Sequence, residues 1–182
     1  LQKLVDYNLM DCQLAYEILE KTKMLDLAIE RSQLTGLPLD RLTASIASFD
    51  SLYIREATAH GLVSPTTHYQ QKETRITGGY VHSLKSGIYK NVLVLDFKSL
   101  YPSIIRTFNI DPASFLETRQ KGCIEAPNSA CFENKEGILP KIIERLHLAR
   151  EKAKKEKRNL SSHAIKIIMN SFFGVLASPN CR

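Results

Sequence analysis

A chain of 182 residues with 43% hydrophobic content, eight glycines and seven prolines can bury a real core, which excludes a disordered or low-complexity polypeptide and fits one or two domains. The formal net charge is +6, and residues 141–158 alone carry eight Lys or Arg against three Glu; such a focused excess points to a polyanion as readily as to a solvated helix face. The four cysteines, Cys12, Cys123, Cys131 and Cys181, show no C-x-x-C spacing, which argues against a zinc site or a disulfide framework and fits reduced thiols of a cytosolic kind.

From residue 4 to residue 30, apolar positions at Leu4, Leu9, Leu14, Ile18, Leu25 and Ile29 alternate with charges and predict helix. Tyr7 and Asp11 stand four apart there, on one helix face. Gly36-Leu37-Pro38 breaks this region, Ala44 to Ala59 is compatible with another helix, and Gly61 to Lys72 reads as loop. Nothing in residues 31–75 points to chemistry, and the stretch reads as a connector. Gly78-Gly79 permits close backbone approach, and Tyr80 to Leu84 leads through Ser86-Gly87 and Lys90-Asn91 toward a hairpin partner at Val92.

Val92-Leu93-Val94-Leu95 predicts a strand buried on both faces, and it ends on Asp96. Ser99, Pro102, Ile104, Ile105 and Phe108 then fit a helix with proline in its first turn. A carboxylate at a strand tip can hold a hard divalent cation, and the free N–H groups of the following helix start attract phosphate. A surface aspartate capping a turn is the plainer reading of one acid in this place. Asp111-Pro112 stops the pattern, and residues 113–136 have no clear period, which predicts a mobile loop without chemistry.

Leu139-Pro140 opens a long helix with Ile142, Leu146, Ala149 and Ala153 on its apolar face. Arg150, Lys154 and Lys157, at i, i+4 and i+7, share another face and could follow a line of phosphates. Asn159-Leu160-Ser161-Ser162 predicts a turn with a serine N-cap, and His163 to Leu176 a second helix packed antiparallel on the first. On it Ile165, Ile168 and Phe172 form the packing side, while Lys166, Asn170 and Phe173 share a face that could meet phosphate, sugar and base. No apolar run nears the roughly 20 residues needed to cross a bilayer, and no signal peptide is visible. The chain opens on Leu1 and ends at Arg182 after an unfinished apolar segment, which leads us to expect a piece of a longer protein.

Asp96-Phe97-Lys98-Ser99-Leu100-Tyr101-Pro102-Ser103-Ile104-Ile105 resembles the first palm motif of family B DNA polymerases, D-x-x-S-L-Y-P-S-I-I, at every fixed position. The resemblance implies that Asp96 binds both catalytic Mg2+ ions, that the main chain at Ser99, Leu100 and Tyr101 holds the triphosphate, and that Tyr101 rejects a ribose 2′-OH. Lys166-Ile-Ile-Met-Asn170-Ser171-Phe172-Phe173-Gly174 resembles the fingers motif K-x-x-x-N-S-x-Y-G, with Phe173 in place of tyrosine. It implies that Lys166 and Asn170 bind the incoming dNTP, that Arg150 and Lys154 hold its β and γ phosphates, and that Phe173 stacks on the nascent pair without a hydroxyl contact. Tyr7-Asn8-Leu9-Met10-Asp11 is similar to the third motif of proofreading 3′–5′ exonucleases, in which Asp11 would bind metal and Tyr7 orient the attacking water. Gly78-Gly79-Tyr80 is similar to the Gly-Gly motif that contacts template DNA.

These likenesses imply an α+β chain: residues 1–42 from the end of an exonuclease domain, 43–75 a connector, 76–116 the first part of the palm with a partial β-sheet, and 117–182 a loop and the fingers hairpin. They imply a DNA-directed DNA polymerase of replication or repair, with primer–template DNA, dNTPs and a sliding clamp as partners, in bacterial cytoplasm at the nucleoid. The second palm aspartate motif, D-T-D, is absent from these residues, so the 182 residues alone are expected to be inactive. A non-catalytic nucleic-acid-binding module on a polymerase-like scaffold is the alternative, although it has no need of Asp96, Tyr101, Lys166 and Asn170 together.

Overall fold

The computed structural model describes residues 1–66, 81–176 and 178. Helix α1 (Gln2–Thr22) and helix α2 (Met24–Thr35) replace the single expected helical region. Lys23 sits between them in the left-handed region at φ 53°; its N–H donates to the Glu20 carbonyl and its own carbonyl accepts from Leu27. Helix α2 ends at Gly36, left-handed at φ 74°, the usual glycine stop. Helix α1 buries no residue, so its apolar residues lie open.

Helix α3 (Ser45–Ala59) buries Ser48, Phe49, Leu52, Tyr53 and Ala57. The helix expected from Ala44 to Ala59 is thus present and is a core element. Helix α4 (Leu100–Thr107) buries Pro102 and Ile105. Helix α5 (Ile138–Lys155) buries Ile142, Leu146 and Ala153 as the periodicity predicts, and adds Ile138, Leu139 and Ile143. Helix α6 (Asn159–Leu176) buries Ala164, Ile165, Ile168, Met169, Phe172 and Val175. It packs against α5, α2, α3 and α4 and is the hub of the core, where Phe172 meets Phe49 edge-on at 5.4 Å and Phe49 stacks on Tyr53 at 5.3 Å.

The turn between α5 and α6 differs from expectation. Helix α6 starts at Asn159, not His163, because the Arg158 carbonyl already accepts from the Ser162 N–H. Lys157 leaves the helix at φ 56°; its N–H bonds to the Lys154 carbonyl and that of Arg158 to the Ala153 carbonyl, the paired bonds of a Schellman stop. Lys157 is thus off the face that carries Arg150 and Lys154.

The sheet also lies elsewhere than expected. Val92–Leu95 forms no strand and is exposed, Leu95 to 84%. The hairpin expected from Tyr80 does not form over residues 81–99. A strand needs a ladder partner, and β-propensity only makes a segment ready for one; no described strand lies beside this run. The ladder present is antiparallel, in the order β1 (Phe115–Leu116), β3 (Cys131–Phe132), β2 (Ile124–Glu125). It occupies the region expected to be a mobile loop.

Candidate active site

Tyr101 and Phe173 come together. Their rings stack at 4.1 Å between centroids and 18° between planes, while both remain open to solvent, at 42% and 47% exposure. Tyr101 reaches this place from α4, whose Ile105 is anchored in the core, and Phe173 from α6, whose neighbour Phe172 is fully buried. Adjacent residues on α6 thus serve opposite purposes, one packing inward and one facing out. Ser99 precedes α4 in the left-handed region at φ 55°, a conformation that costs a serine about 1 kcal/mol or more.

Lys166 and Asn170 are exposed on α6, on the side away from Ile165, Ile168 and Phe172. Lys154 donates to Glu151 at 2.7 Å. That contact holds the Glu151 carboxyl below its usual range, with smaller pulls from Lys98 and His147. Lys98, one residue before Ser99, thus lies close enough to α5 to act on it electrostatically. Arg150 is half-buried, and its Nε has no hydrogen-bond partner among the described residues.

Asp96 is exposed on the irregular run before α4. It offers one hard carboxylate, the donor type that magnesium takes. Among the described residues no three His, Cys, Asp or Glu stand together as a metal cage, so these residues fit one ligand of such a site and not the whole of it. Tyr7 and Asp11 lie on exposed α1, remote in sequence from every other named residue. Gly78, Gly79 and Tyr80 lie outside the described residues.

A buried polar joint escaped the sequence reading. Asn109, left-handed at φ 52°, donates through Nδ2 to the Glu133 and Lys135 carbonyls at 2.8 Å each and accepts the Gly137 N–H at 2.8 Å. Asp111 Oδ1 accepts the Leu139 N–H at 3.0 Å, so a carboxylate from outside the helix caps the start of α5, where its charge meets the positive dipole end. A Cβ at Gly137 would lie 2.7 Å from the Asp111 Cβ, hence glycine. The Tyr53 hydroxyl and Asp111 Oδ2 are both buried without a hydrogen-bond partner among the described residues; burial, and then the Asp111 charge, push the Tyr53 phenol well up. The ion pairs Arg106–Glu144 at 2.7 Å and Arg145–Glu56 at 2.6 Å tie α5 to α4 and α3. The available signals were Asn109 as a left-handed residue, Asp111 as a capping acid and Gly137 before a helix, but the bonded pairs lie 24 to 28 residues apart.

Residues 43–182 match the family model described as DNA polymerase family B. The chain belongs to DNA polymerase family B. It is 40% identical over 183 residues to DNA polymerase II of Escherichia coli (strain K12), in agreement with the likeness of the strings at 92–108 and 166–176 to bacterial DNA polymerase II. That match covers 98% of this chain and 23% of the relative. Identity to a DNA polymerase of Desulfurococcus sp. (strain Tok) is 28% over 204 residues, covering all of this chain and 26% of the relative. The solved structure of the family B DNA polymerase from Pyrobaculum calidifontis superposes with a TM-score of 0.79 at 27% identity, over 98% of this chain and 26% of that one. This family B chain therefore spans about a quarter of the length of these relatives, and it has the α+β class expected. Family B polymerases are metal-dependent enzymes that act on DNA and dNTPs. Among the described residues no helix is long and apolar enough to cross a membrane.

Proposed function

We propose that this chain carries the nucleotide-facing half of a DNA-directed DNA polymerase site, which joins a dNTP to a primer 3′-OH. The observation that carries the reading is the Tyr101–Phe173 stack, because it sets the tyrosine of one motif against the aromatic of the other. Two stacked, half-open rings make a flat apolar floor on which a base pair and its sugar can rest. Tyr101 then blocks a ribose 2′-OH, and Lys166 and Asn170 hold the incoming nucleotide from the exposed side of α6. Arg150 and Lys154 offset the charge of the β and γ phosphates. Because Lys154 already holds Glu151, a triphosphate must compete with that carboxylate. Magnesium bound at Asp96 would supply charge neutralisation and an acidified 3′-OH.

In the same reading, residues 1–42 close a 3′–5′ exonuclease domain in which Tyr7 and Asp11 serve, 43–75 connect, 76–116 begin the palm and 117–182 form the fingers side. Gly78, Gly79 and Tyr80 touch template DNA, and a sliding clamp joins through other parts of the polymerase. Primer extension with Mg2+ tests the core of this, in a polymerase of full family length that carries these residues. Asp96→Asn is expected to abolish extension while primer–template binding stays within about twofold. Extension by the Asp96→Asn enzyme at the wild-type rate would overturn the reading; DNA binding without extension by either form would favour the non-catalytic module.

A further inference from the structure

Two cysteines stand near one another at the end of the small sheet. Glu125 pairs with Cys131 and Ile124 with Phe132. Cys123 stands one residue before β2 and two before Glu125, so it shares the sheet face of Cys131 as its diagonal neighbour. Only the β2–β3 hairpin separates the two in sequence, closed by the Ala126 N–H on the Ala130 carbonyl at 2.8 Å and by Ser129 at φ 66°. Both thiols are free. Cys131 is 3% exposed and Cys123 half-buried. The Cys131 thiol is pushed up, first by the neighbouring Cys123 thiol and then by burial.

Diagonal partners stand farther apart than a disulfide allows, since its Cβ atoms lie about 3.5–4.5 Å apart. Cys131 is fixed within the ladder. Cys123 lies outside the strand, held by its N–H on the Gln120 carbonyl at 3.2 Å, and Gly122 before it is at φ 88° with open space around its α-carbon. Rotation at Gly122 can close the gap at the loss of that one turn hydrogen bond.

We propose that Cys123 and Cys131 form a reversible dithiol–disulfide couple whose oxidant is a small-molecule disulfide of the glutathione class. Cys123, the more accessible thiol, loses its proton and attacks one sulfur of the oxidant. The oxidant's S–S bond breaks, one small thiolate leaves with the electron pair and takes up a proton, and a mixed disulfide remains on Cys123. Cys131, deprotonated in turn, attacks Cys123 Sγ and expels the second small thiol. Two protein thiols become one disulfide and one small disulfide becomes two thiols, so atoms and electrons balance. The raised Cys131 thiol makes the second step the slower one at neutral pH, and it quickens as pH rises. The bridge would stiffen the sheet end next to Glu133 and Lys135, whose carbonyls hold Asn109.

The test incubates the 182-residue chain carrying Cys12→Ser and Cys181→Ser, so that Cys123 and Cys131 are its two thiols, with glutathione disulfide, traps remaining thiols by alkylation at intervals, and reads intact mass and cysteine-containing peptides. The expected product is lighter by about 2 Da before alkylation, loses two alkylation sites, joins the Cys123 and Cys131 peptides, and reverts with dithiothreitol. Cross-linking in the folded chain should be at least ~10-fold faster than in urea, because the sheet raises the effective concentration of one thiol at the other. Cys131→Ser should accumulate glutathione on Cys123 instead. A two-cysteine chain with both Cys123 and Cys131 intact that also stops at the mixed disulfide, or that cross-links no faster folded than unfolded, overturns the proposal.

Discussion

Residues 92–99 and 165–173 carry motif strings of similar density, yet they are held in opposite ways. On α6 side chains at i, i+3 and i+4 spacing are locked into the core, with Phe172 fully buried beside outward-facing Phe173. On the run before α4, Leu93, Val94, Leu95 and Phe97 are all more than 70% exposed. Helical hydrogen bonds are made within one segment, whereas a strand must find its ladder on another. Motif residues on a helix are therefore placed by their own segment, and those on a strand wait for a neighbour.

Truncation of each region breaks or sharpens this contrast most directly. Phe172→Ala should cost about 3–5 kcal/mol, read as a fall in the urea midpoint of the 182-residue chain, because its ring fills the centre of the core against Phe49. Leu95→Ala, at an apolar residue 84% exposed, should stay within about 0.5 kcal/mol. Comparable losses at the two positions would show that the run before α4 is packed in solution.

The joint that sets α5 against α4 gives the next effect. Gly137→Ala forces a methyl against Asp111 and should cost about 1–3 kcal/mol, measured by the same unfolding curves. Tyr53→Phe removes a buried hydroxyl that has no hydrogen-bond partner among the described residues; stability near neutral pH should hold or rise by up to about 1 kcal/mol. The phenol's folded value lies above its unfolded value of about 10. Wild-type stability from this group is therefore complete below pH of about 10 and is lost as pH climbs beyond it. Tyr53→Phe should lack that part of the alkaline loss in unfolding curves taken at increasing pH. A small gain is expected at Lys157, left-handed at φ 56°, where glycine relieves the strained conformation. Lys157→Gly should raise the unfolding free energy by about 0.5–1 kcal/mol, read from the urea midpoint.

Legibility from sequence followed the range of the interaction. The α5 and α6 packing faces, the helix starting near Leu139-Pro140, the stop at Gly36 and the outward face of Lys166, Asn170 and Phe173 rest on i to i+4 spacing, and the amino acids state that directly. The motif strings led to the family, since their residues are contiguous. Three things were hidden. Lys157 ends α5 through main-chain bonds where a glycine would have advertised the stop. The Asn109 and Asp111 joint closes across 28 residues. The strands at 115–132 are two residues each, too short for alternation to show. Val92–Leu95 erred the other way, because composition signals readiness to pair and not the presence of a partner.

The place of α6 has a consequence for the order in which the molecule can be made. It contacts α2, α3, α4 and α5, yet it follows all four in sequence. During synthesis the four earlier helices emerge from the ribosome with Phe49, Leu52, Ile105 and Ile142 lacking the α6 side chains that later cover them, and only the contacts of those helices with one another can form. The core closes only when residues 165–175 arrive, so this apolar surface stays open until α6 has been made.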